Sequence, residues 1–165
     1  MVEAELVDIF RDGVELKLNG ADIYVDIGFS TLSWTYRYYL KIDGRWLWLE
    51  SKDTVKNIIN RVASGDMWAV AIFKLISVLN YRSAKEHAER AFSPYISDTP
   101  ECVEERLFRS LWLSFRRTSD LSKANTVIAL MEKYRDFFVN KEAYEKYLRK
   151  FKEADIYAIA SALSI

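Results

Sequence analysis

Residues 34–50, WTYRYYLKIDGRWLWLE, alternate aromatic rings with cations. That alternation suits one chemistry: rings stack on unpaired nucleobases while Arg and Lys meet the phosphates between them. Asp43-Gly44 supplies a two-residue turn, since both central positions of a type I′ turn need positive φ. Ile42 then faces Arg45, Leu40 faces Leu47 and Tyr38 faces Leu49, a core side extended by Tyr36 and Trp34. The opposite side carries Thr35, Arg37, Tyr39, Lys41, Trp46, Trp48 and Glu50, with Lys41 across from Trp46 and Tyr39 across from Trp48. Arg37, Tyr39, Lys41, Trp46 and Trp48 are therefore candidate binding residues. Helices covering both faces would instead make the two tryptophans core. Fully buried cations are rare, so Arg37 and Lys41 tilt the balance toward exposure.

A second cluster follows Pro100. At roughly 100° per residue, Arg106, Arg109, Arg116 and Arg117 fall within about a quarter of a helix circumference. Leu107, Phe108, Leu111 and Phe115 lie opposite, and Trp112 sits at the border next to Arg116. Each guanidinium can bind two phosphate oxygens at once, and the only nearby acids are Glu104 and Glu105. Arg106, Arg109, Trp112, Arg116 and Arg117 complete the candidate set, against the plainer reading of a solvated helix face. Lys146, Arg149, Lys150 and Lys152 share their region with Glu142, Glu145 and Glu153 and read as a salt-bridged surface.

Catalysis finds no support. His87 lacks the second histidine of a zinc-binding HExxH, and Cys102 has no histidine near it in sequence. Asp8, Asp22 and Asp26 sit beside Lys17 on a solvent face, and no Gly-rich phosphate loop is present. Neither an enzyme, a metal site nor a cofactor is expected. The formal net charge is zero, so attraction to phosphate must come from a local patch. One cysteine, no membrane-length apolar run and no signal-peptide layout imply a cytoplasmic protein without a membrane role. Glutamine is absent while Lys, Arg and Glu are plentiful, a hyperthermophile composition.

The elements that must position these residues can be read from period and turns. Asp12-Gly13, Asn19-Gly20 and Asp43-Gly44 separate alternating apolar runs, giving an antiparallel meander over residues 1–50. Around Asp12-Gly13 the expected pairs are Arg11–Val14, Ile9–Leu16 and Val7–Leu18. Around Asn19-Gly20 they are Leu18–Ala21, Leu16–Ile23 and Val14–Val25. After Glu50 the period becomes helical. Val55, Ile58, Ile59 and Val62 form a stripe ending at Gly65, and residues 67–80 make a buried helix. Ser83 with Glu86 reads as a capping box, and Thr99-Pro100 as an N-cap with proline at the first helical position. Helices are expected at about 100–117 and 120–138, and from Asn140 onward. The expected class is α+β: a meander of about five strands packed against a bundle of about five to six helices. It forms a single domain over 1–165.

The order of elements over about residues 4–138, with Arg37, Tyr39, Lys41, Trp46 and Trp48, resembles the ThermoDBP family, single-stranded DNA-binding proteins of hyperthermophilic archaea. The resemblance implies a cleft where bases lie on aromatic side chains while cations flank the backbone, in the service of DNA replication or repair. It also implies paired subunits. The family pairs through a leucine zipper, whereas the last segment here carries Tyr144, Tyr147, Leu148, Phe151 and Ile159, an apolar stripe suited to a homodimer or to closing its own bundle. The function expected is binding of single-stranded DNA, or RNA, with little sequence preference. The alternative is a non-catalytic subunit of a larger archaeal assembly that docks a protein on the aromatic face. If Trp46 and Trp48 stack on bases, replacing either by Ala costs about 1–3 kcal/mol of oligonucleotide affinity while the melting temperature barely moves. A large fall in melting temperature at unaltered affinity would assign both rings to the core.

Overall fold

Turn chemistry sets the N-terminal backbone. The computed structural model describes the backbone of residues 4–10, 13–18, 21–30, 35–42, 45–49, 51–96 and 98–163, and the side chains of Leu49 and of 51–154 apart from 52, 63 and 97. Strands β1 (Ala4–Phe10), β2 (Gly13–Leu18), β3 (Ala21–Ser30), β4 (Thr35–Ile42) and β5 (Arg45–Leu49) pair antiparallel in sequence order. Leu18 pairs with Ala21 and Val14 with Val25; Ile42 pairs with Arg45 and Tyr38 with Leu49. This is the register expected for two-residue turns at Asn19-Gly20 and Asp43-Gly44, residues that themselves lie outside those described.

The first hairpin departs from expectation. Phe10 pairs with Gly13, so the two residues between the strands are Arg11 and Asp12 rather than Asp12 and Gly13. Ile9 pairs with Val14 and Leu6 with Leu16, and the register shifts between Leu6 and Asp8. An extra residue in β1 accounts for the shift. It lets Leu6 and Ile9, three apart, both take register positions among apolar residues, in the rows Leu6–Leu16–Ile23 and Ile9–Val14–Val25.

The chain forms two compact units, Met1–Ser97 and Asp98–Ile165. In the first, α1 (Lys52–Ala63), α2 (Met67–Ile76) and α3 (Tyr81–Phe92) pack on one another, and α1 and α3 contact β5. Ser51 caps α1 by accepting from the Thr54 N–H, and Asp66 caps α2 by accepting from the Ala69 N–H. The apolar run 67–80 stops being helical at Ser77, because Asn80 caps α3 through the Ser83 N–H. The helix thus starts earlier than a Ser83–Glu86 box would place it. The Arg61 guanidinium pairs with Asp66 at 2.8 Å and lies 5.1 Å from the Trp68 ring and 5.6 Å from the Phe92 ring, tying the three helices together. Thr54, fully buried, donates its hydroxyl to Glu89 at 2.8 Å, a second tie between α1 and α3.

The second unit holds α4 (Pro100–Thr118), α5 (Leu121–Lys133), a short 3-10 turn (Arg135–Phe137) and α6 (Lys141–Leu163). Its central feature is Glu104, a fully buried carboxylate on α4. It accepts from the Val139 N–H at 2.9 Å and from the Asn140 N–H at 2.9 Å. Those donors lead into α6, whose N-cap is Asn140 accepting from the Ala143 N–H. The helix expected over 120–138 ends at Lys133, since continuing it would commit these N–H groups to its own ladder. From this anchor the contacts advance together along both helices: Phe108 meets Tyr144 and Tyr147, then Trp112 and Phe115 meet Phe151. Helices α4 and α6 therefore run parallel.

The α+β expectation, a meander packed against one bundle of about five to six helices, is corrected by this core. From Ser51 onward, where side chains are described, the protein is helical, with six helices and no strand. Among the described core residues only Leu49 comes from a strand. The physical reason is that the helices supply their own apolar partners. Phe73 packs edge-on to Phe92 in one group, and Phe108 packs edge-on to Phe138 in the other.

Two expectations about stability follow from the second unit. Glu104→Ala strips the acceptor from two main-chain N–H groups at the start of α6 and should lower the unfolding free energy by roughly 2–4 kcal/mol in chemical denaturation. Tyr144 is buried, and its hydroxyl has no hydrogen-bond partner among the described residues. Burial pushes its phenol above the ordinary value of 10.0. A raised folded value makes this contribution complete below the unfolded value and lost as pH rises through the folded one. Tyr144→Phe should therefore be neutral or stabilising by about 1 kcal/mol at neutral pH, and should reduce the loss of stability under alkaline conditions.

Candidate nucleic-acid interface

The first candidate group is carried by β4 and β5. Cα pairing sets Tyr39 beside Trp48 and Lys41 beside Trp46, and Arg37 beside Gly28 of β3. Rings and cations thus share register rows, and β5 is an edge strand in the sheet order. The rows continue into acids: Asp26 pairs with Tyr39, and Tyr24, the partner of Lys41, pairs with Glu15. The side chains of Arg37, Tyr39, Lys41, Trp46 and Trp48 lie outside the described residues. Leu49, which alternates with Trp48, is fully buried.

The second group is on α4, in the other compact unit. Arg109, Arg116 and Arg117 are exposed, and none forms an ion pair among the described residues. Glu104, an acid of the same helix, is turned inward and committed to α6. Arg106 differs from the others, because its guanidinium pairs with Asp98 at 2.9 Å. Trp112 is half-buried, with its ring 5.4 Å from Phe151 edge-on and 5.7 Å from Phe115. Those contacts fix its orientation at the border of the arginine face.

Sequence reasoning missed Lys146 and Lys150. The Lys150 ammonium lies 5.8 Å from the Trp112 ring and 5.5 Å from the Tyr147 ring, and Lys146 lies 5.3 Å from Tyr147. Neither forms an ion pair among the described residues, so the expected salt-bridged surface reduces in this group to Lys152 with Glu132 at 3.3 Å. Four-residue spacing was the available signal, since it puts Lys146 and Lys150 on one stripe beside Tyr147. What the sequence lacked was the neighbouring helix. At the start of α6 an open cavity of about 150 Å³ is lined by Glu105, Asn140, Glu142, Ala143, Lys146 and Tyr147.

Among the described residues, no group of three or more His, Cys, Asp or Glu side chains could hold a metal ion. None of the helices described is long and apolar enough to cross a membrane. Compared with protein-family models, curated proteins and solved structures, the chain matches none.

Proposed function

We propose that the protein binds single-stranded nucleic acid, DNA first, through the phosphate backbone, with little sequence preference and without catalysis. One observation carries this reading: Arg109, Arg116 and Arg117 stand exposed on one helix face with no ion-pair partner among the described residues. Of the two carboxylates nearest these arginines, Glu104 is buried, and Glu105, exposed one turn before Arg109, forms no ion pair with them among the described residues. Unpaired guanidinium groups favour a polyanion, and contacts to phosphate carry no base identity. The register rows Tyr39–Trp48 and Lys41–Trp46 support an unpaired strand over a duplex, because ring stacking needs bases free of their partners.

Counterion release supplies the test. Replacing both Arg109 and Arg116 by Ala should weaken binding of a short oligodeoxythymidylate at low salt. It should also lower the slope of log affinity against log salt by about 1.4, at about 0.7 for each phosphate no longer neutralised. An unchanged slope would return this face to solvent.

A further inference from the structure

We propose that the seam between α4 and α6 is the subsite where a base of the bound strand stacks, with Lys146 and Lys150 as phosphate-binding residues beside it. This inference rests on the strand-binding reading above and places ring and cations within one compact unit. Trp112 supplies a half-buried ring whose contacts with Phe115 and Phe151 already fix its plane. A ring held by packing loses little freedom when a base lands on it, which favours stacking.

The cations are placed to receive the phosphates on either side of such a base. On α4, Arg109 and Arg116 lie roughly 60° and 40° around the helix from Trp112. On α6, Lys150 hangs over both Trp112 and Tyr147, and Lys146 over Tyr147. An ammonium above a ring is held by a weak attraction to the ring quadrupole. A phosphate within reach of the flexible lysine stem attracts it more strongly, so the ammonium shifts to the backbone and leaves the ring to the base. Glu105 and Glu142 line the cavity at the start of α6, where their charge repels phosphate. Lys146 lines that cavity beside them, so it marks one end of the phosphate path, which leaves the cavity toward Lys150 and Arg116.

Full-length protein titrated with a short oligodeoxythymidylate at several salt concentrations tests the assignment. A Lys146→Gln, Lys150→Gln double variant should lose about 1.4 in the log–log salt slope. Trp112→Leu should bind roughly tenfold more weakly with the slope kept, while Trp112→Phe, which retains a ring against Phe151, should keep most of the affinity and shows that folding is not the cause. If the lysine variant keeps both slope and affinity while the Arg109, Arg116 variant loses slope, the seam is overturned and the strand-binding reading stands. If neither variant changes the slope, both are overturned.

Discussion

The second unit depends on a carboxylate that has nowhere else to go. Glu104 is fully buried, and a buried charge is tolerated only where donors surround it. Here the donors are main-chain N–H groups of Val139 and Asn140 at the entrance to α6. The partial positive charge at that helix end adds to the attraction. Because the donors belong to backbone, the contact fixes where α6 begins as well as which helix it touches. Asn140 reinforces the joint by donating its side-chain amide to the Glu101 carbonyl at 3.2 Å.

Everything along the α4–α6 seam inherits that starting point. One turn on, Phe108 meets Tyr144 and Tyr147; a further turn brings Trp112 and Phe115 to Phe151. Edge-to-face and tilted arrangements suit ring quadrupoles and fill the interface. Sliding α6 by one residue would rotate its face by roughly 100° and take Lys150 away from Trp112. The aromatic and cationic pattern at the surface is thus a consequence of the buried anchor beneath it. Turning Glu104 inward also removes a negative charge from the helix that carries Arg109, Arg116 and Arg117.

The first unit reaches a comparable result by a different route. Arg61 is compensated by Asp66, which also caps α2, and its flat guanidinium covers Trp68 and Phe92. This arginine is committed to structure, as Arg106 is by Asp98. The distinction matters for reading basic residues: a cation held by a carboxylate offers a polyanion little, whereas one lying on a ring can exchange that contact for phosphate. On this criterion Lys146 and Lys150 join Arg109, Arg116 and Arg117, and Arg106 leaves them.

Local chemistry was legible from the sequence where it acts over a few residues. Asn19-Gly20 and Asp43-Gly44 predicted the register found in the flanking strands, because an expected two-residue turn leaves no freedom in pairing. Thr99-Pro100 and Asn140 marked helix starts for the same reason, a cap being a contact between near neighbours. The Asp12-Gly13 signal misled: Phe10 pairs with Gly13, so Gly13 belongs to β2 rather than to the turn. The α+β class failed because period reports which stretches are apolar and not which of them will pack together. Only the tertiary structure decided that helices would bury one another's rings in two groups, that Glu104 would turn inward, and that Lys150 would rest on Trp112. Those outcomes depend on contacts between residues roughly 19 to 39 positions apart, a distance over which neither periodicity nor turn chemistry carries information.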